Sequence, residues 1–230
     1  MYLLPFPVAG EGLGFGASIY IMESIYQSRG FVSCLKQGFT FVLANPKTVL
    51  KAMWVLLLII AIADVLMFGF AEKLSMDIFQ QKVGTDTQFA ALGYRLLSVF
   101  QLFLAIAGLI YFGRYMMRRE EKKYKVNVGN IIIHNFWSFL GIFLMSSFLA
   151  GLLVLIPTIS SIICIWAYNS CTLSEVLYGD VVSIPTSGYV SMFVIGVLAI
   201  LVVEYIGLVV PASLIYKYGS VVYKENEQNK

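Results

Sequence analysis

The sequence predicts an all-α integral membrane protein: four transmembrane helices preceded by an amphipathic interfacial helix, with both termini on the cytoplasmic side. Three observations predict it. Of 230 residues, 59% are hydrophobic and only 13% charged, against about 25% charged in an ordinary soluble domain. Four stretches reach the about 20 mainly apolar residues that a spanning helix needs. Lys and Arg gather on one side of those stretches.

The predicted spans are 48–70, 89–112, 136–157 and 189–216. The apolar signal of the third continues through Ile159, Ile162, Ile163, Ile165 and Trp166. Residues 136–166 are nevertheless too few for two crossings at about 20 residues each. The expectation is one long helix kinked at Pro157, or a span followed by a re-entrant piece on the outer face.

Orientation follows from the excess of Lys and Arg that cytoplasmic loops carry. Thirteen of the 16 fall on one side: Arg29, Lys36, Lys47, Lys51, the 114–125 cluster, Lys217, Lys224 and Lys230. Lys73 and Lys82 lie on the other, Arg95 lies within a span, and 158–188 has neither residue type. Only an even number of spans keeps every basic cluster inside, so both termini are expected to be cytoplasmic; the expected location is the inner membrane of a prokaryote. Trp and Tyr favour the headgroup level. Trp54, Tyr111, Tyr115, Trp137, Tyr216 and Tyr218 would mark the inner ends, and Trp166 and Tyr189 the outer face.

Ahead of the first span, Phe31, Val32, Leu35, Phe39, Val42 and Leu43 share a helical face opposite Ser33, Lys36, Gln37 and Thr40. This predicts an interfacial helix over 31–44 on the inner leaflet. Asn45-Pro46 ends it, because Asn can cap and Pro suits the first position of the next helix. The order of amphipathic helix, Asn-Pro break and span resembles the start of many bacterial polytopic proteins without pointing to one family. Residues 130–137 echo 45–54 only loosely, so no internal repeat guides the reading.

The domain reading is an N-terminal segment, 1–30, followed by one polytopic membrane domain, 31–230. Residues 1–16 contain Glu11 but no Lys or Arg, so they lack the positive region of a secretory signal. One hypothesis is that residues 1–21 reflect an upstream start, with Met22 beginning the translated chain.

Ionisable groups are costly in hydrocarbon and count as functional candidates there. Asp64, Arg95 and Glu204 are the three. Asp64 lies six residues before the outer end of span one and Arg95 six after the outer start of span two. Both are therefore about 9 Å deep, and an ion pair is expected, as a clamp or as part of a substrate or proton site. Glu204 has no basic residue at its depth. It shares a stripe with Ile200, Gly207 and Pro211, and an acid beside a helix irregularity is one way to build an ion or proton site. The alternative is a protonated Glu bonded to a neighbouring helix. Small residues, Ser146 with Ala150 and Ser147 with Gly151, would let helices pack closely. Arg114, Arg118, Arg119, Lys122, Lys123 and Lys125 are the candidate contact for anionic lipids of the inner leaflet or for a partner protein.

Other chemistry finds little support. Cys34, Cys164 and Cys171 lack metal-type spacing, His134 is the only histidine, and the alternating Gly10, Gly12, Gly14 and Gly16 do not make a phosphate loop. No cofactor, metal site or nucleic-acid partner is expected, and an enzyme is not expected. The first expectation is a non-enzymatic assembly, regulatory or accessory component that binds membrane proteins or lipids, with a membrane-protein partner or a second copy of the chain as its counterpart. The second is a small transporter or channel subunit using Glu204, and the third a membrane enzyme acting on lipid.

Overall fold

A computed structural model describes residues 24–79, 84–118, 128–178 and 186–228, with the backbone alone over most of 160–177. Every element in it is helical: α1 (Phe31–Ala44), α2 (Pro46–Phe79), α3 (Thr85–Met117), α4 (Val128–His134), α5 (Phe136–Tyr178), α6 (Thr186–Gly207) and α7 (Val209–Gln228). Four stretches are long and apolar enough to cross a membrane: Pro46–Ser75, Thr85–Met117, Phe136–Ile159 and Val190–Glu227.

Helix ends do not coincide with apolar ends. At 1.5 Å per residue, α2 is about 51 Å long and α3 about 50 Å, each well beyond the about 30 Å of a hydrocarbon core. Helix α2 runs nine residues past the predicted outer end of span one, whereas α3 begins four residues before the predicted start of span two. The register of this antiparallel pair is fixed by a series of contacts. Tyr115 donates to the Thr48 carbonyl at 3.3 Å, Leu56 packs over Gly108, the Ser98 hydroxyl oxygen lies 3.4 Å from the Met67 sulfur, and Thr87 donates to Asp77 at 2.8 Å. Helix α5 runs without a break through Pro157 to Tyr178, the first of the two shapes expected there.

The predicted fourth span is two helices. Leu208 interrupts it between α6 and α7. Pro211 lacks the N–H that would bond the Gly207 carbonyl four residues earlier, and Gly207 weakens helix continuity at the same point. The chain resumes with the Ala212 N–H donating to Leu208 at 3.1 Å.

The core sits at the end of the bundle that carries the basic residues. There α1 lies antiparallel along α7 and buries Cys34, Leu35, Gly38, Phe41 and Val42. Phe41 meets Phe112 of α3 and Tyr216 of α7 edge-on, with ring centroids 6.2 and 6.5 Å away. Gly38 permits the close approach, since a Cβ there would stand 2.7 Å from the Ser213 nitrogen. The buried face of α1 is thus rotated from the predicted one. Leu35 and Val42 are common to both, while Phe31, Val32 and Leu43 are exposed, because α7 packs on the side that carries Cys34, Gly38 and Phe41.

Residues 24–30 dock on α7 as well. Arg29 is buried, its backbone N–H donating to Ser220 at 2.9 Å and its guanidinium to Ile25 O and Gln27 Oε1 at 3.1 and 3.0 Å. The guanidinium carbon stands 5.2 Å from the centre of the Tyr216 ring, a cation–π distance. Two assignments change accordingly: Arg29 is not a solvated topological charge, and Tyr216 is not a headgroup anchor.

Both lead-in junctions use one hydrogen-bonding device. Asn45 Nδ2 donates to Phe41 O at 3.3 Å, and the Asn45 carbonyl accepts from Thr48 and Val49. Asn135 Nδ2 donates to Ile131 O at 3.2 Å, and its carbonyl accepts from Ser138 and Phe139. Each side chain closes the preceding short helix while the backbone opens the long one. Asn135, not Asn130, is therefore the counterpart of Asn45.

Candidate functional site

The far half of the bundle is lightly packed, and its polar contents are correspondingly conspicuous. Asp64 on α2, Gln101 on α3 and Glu204 on α6 converge, each half-buried within the chain. Gln101 Nε2 donates to Asp64 Oδ1, and the carboxyl groups of Asp64 and Glu204 lie within hydrogen-bonding reach of each other. An ionised carboxylate is an acceptor only. A hydrogen bond between the two acids therefore requires a proton on at least one of them.

Arg95 is not part of this group. It is exposed on α3, six residues beyond Gln101 and so about 9 Å away along the axis. The expected Asp64–Arg95 pair does not form, because the helices extend past their apolar ends by different lengths. The unequal extensions of α2 and α3 shift the register and bring Gln101, six residues from Arg95, to Asp64 instead.

Next to Glu204, the Tyr205 hydroxyl donates to the Val42 carbonyl of α1. The helix carrying the second carboxyl is thereby tied to the core at the basic end. Ser98 extends the polar line on α3 and donates to Tyr94 O at 2.8 Å. On α5, Ser146 and Ala150 are buried with Ile142, whereas nothing lies within 4 Å of the position a Cβ on Gly151 would take. Only the first of the two small-residue pairs is a packing face. Chemically the cluster can hold one exchangeable proton and tie three helices together.

At the basic end, Arg114 and Arg118 close α3 and are exposed. With Tyr111 and Tyr115 they line a pocket of about 310 Å³. Arg119, Lys122, Lys123 and Lys125 fall outside the described residues, as do residues 1–23 with the glycine alternation and the start-site question. His134 ends α4 and is exposed. Cys34 faces α7 and is fully buried; that burial pushes its thiol pKa up, against the opposing influence of Lys217, Arg29 and Lys224. Among the described residues, no group of three or more His, Cys, Asp or Glu side chains could hold a metal ion.

A second concavity, about 410 Å³, opens between α3, α4, α5 and α7. Its lining is almost wholly apolar and includes Met117, Ile132, Phe136, Phe143, Leu214 and Tyr218. Single-residue inspection of the sequence did not find it, because it draws on four elements. A signal existed in Phe136, Phe139 and Phe143, which repeat at helical spacing.

Comparison with protein-family models, curated proteins and solved structures finds no match. The class is therefore defined by fold and composition: among the described residues every element is helical, and four long apolar stretches fit a multi-pass membrane protein.

Proposed function

We propose that this protein is a non-enzymatic assembly, regulatory or accessory component of a prokaryotic cytoplasmic membrane, with both termini and the basic end inside, and that it holds an apolar segment of another membrane protein in the groove between α3, α4, α5 and α7. The groove is the observation that carries the reading. Its lining is a continuous apolar wall of four aromatic side chains, four aliphatic ones and Met117, and four helices converge on it, so an apolar segment seated there would gain packing contacts with each of them. Helix α1 would lie at the inner leaflet with Phe31, Val32 and Leu43 turned toward lipid.

Photo-crosslinking in native membranes tests this. A photoreactive residue at Ile215, inside the groove, is expected to give a discrete protein adduct, whereas one at Leu102, exposed on α3, gives lipid adducts only. Lipid adducts alone from both positions would overturn the docking reading.

A second reading, a small transporter or channel subunit, is favoured by the Asp64–Glu204 pair, since paired acids within a membrane bundle recur on ion and proton pathways. Its mark is proton flux in reconstituted vesicles that Glu204→Gln abolishes. Flux absent in the wild-type chain, or unchanged in the variant, removes it.

A further inference from the structure

We infer that the Tyr111, Arg114, Tyr115 and Arg118 pocket on α3 is a headgroup site for an anionic phospholipid. This rests on the reading that the basic end meets the cytoplasmic leaflet, and it goes beyond that reading in naming a ligand, a location and a geometry.

Arg114 and Arg118 are four residues apart on one helix, so their side chains emerge one turn apart on the same face, about 5–6 Å between Cβ atoms. That spacing lets two planar guanidinium groups address one phosphate from adjacent sides. Tyr111 and Tyr115 repeat the spacing and complete the lining. Tyr115 is held in place by its bond to the Thr48 carbonyl of α2 at 3.3 Å. Thr48 in turn brings α2 to the same level, where Lys47 and Lys51 are exposed on either side of it. The carbonyl end of α3, by itself, would repel an anion. The recognition therefore belongs to the cationic side chains.

The helix surface below the site argues for a lipid rather than free phosphate. Ile110, Ile106 and Phe103 continue the stripe of Arg114 toward the middle of the helix, and they are 51%, 48% and 67% exposed. A phosphate held by the two arginines would have an uninterrupted apolar track below it for an acyl chain. Each basic group near anionic lipid adds measurably to binding. The double neutralisation should therefore weaken binding about tenfold or more.

Native mass spectrometry of the full-length chain in neutral detergent tests the assignment, with phosphatidylglycerol, phosphatidylcholine and inorganic phosphate as probes. Phosphatidylglycerol adducts are expected to exceed phosphatidylcholine adducts by about tenfold and to persist in excess phosphate. Arg114→Gln with Arg118→Gln should remove that preference. Lys36→Gln with Lys224→Gln, the same change of net charge at exposed positions elsewhere, should retain it. Thermal unfolding of both double variants without added lipid checks that the fold is intact. Equal binding of the two lipids, equal loss in both double variants, or displacement by phosphate would each overturn the site. An inverted insertion would appear in topology labelling while the preference in detergent survived, so failure of the orientation and failure of the site are distinguishable.

Discussion

Asp64 shows how one residue chooses its partners in an apolar bundle. A carboxyl group there must find donors, because hydrocarbon offers none, and Gln101 supplies one. Hydrogen bonds between membrane helices contribute about 0.6 kcal/mol on average and up to about 1.7. Asp64→Ala and Gln101→Ala are therefore expected to couple by about 0.5–2 kcal/mol in a double-mutant cycle read by thermal unfolding in detergent. Asp64→Ala and Arg95→Ala should add independently. Coupling to Arg95 with none to Gln101 would contradict the helix register described above. The two acids were legible in the sequence because charge within an apolar run is rare. Gln101 was not legible in the same way, because a neutral amide carries no charge to mark it, although at that depth it faces the same demand for partners. Arg29 shows the opposite limit: charge counting weighs a basic residue alike whether solvated or buried against Tyr216.

At the scale of elements, the packing of α1 on α7 organises the basic end. Its tightest point is Gly38 against Ser213, where an added Cβ would stand 2.7 Å from a backbone nitrogen and 2.8 Å from a Cα. Backbone cannot yield as a flexible side chain can. Gly38→Ala is accordingly expected to destabilise the protein by about 1–3 kcal/mol, despite the higher helix propensity of Ala. An unchanged or raised unfolding temperature would mean that α1 is not seated on α7. The existence of α1 was legible from its period and from Asn45-Pro46. Its buried face was not, because the pattern identifies an apolar side without saying whether lipid or protein covers it. Likewise, apolar length located the long helices but not their ends, and the nine-residue extension of α2 against four for α3 changed which side chains meet. The break at Leu208 had a readable cause in Gly207 and Pro211, although the apolar run passes through it without interruption.

For the whole molecule, the packing divides into a basic end with an interlocked core of α1, α2, α3 and α7 and a far half whose large apolar side chains are mostly exposed. Close packing of the core side chains concentrates van der Waals contact at the basic end, so it is the stable platform, and both proposed binding surfaces stand on it. Charge asymmetry made that end legible in the sequence. The groove was not, since its walls come from residues about 100 positions apart.

The orientation of this platform is the claim on which the functional account depends, and one labelling experiment addresses it. In a background with all three cysteines replaced by serine, single cysteines are placed at Gly84 and at Asn226 and probed with a membrane-impermeant maleimide. The account predicts labelling of Gly84→Cys in intact cells and of Asn226→Cys only after permeabilisation. Labelling of Asn226→Cys in intact cells would contradict it.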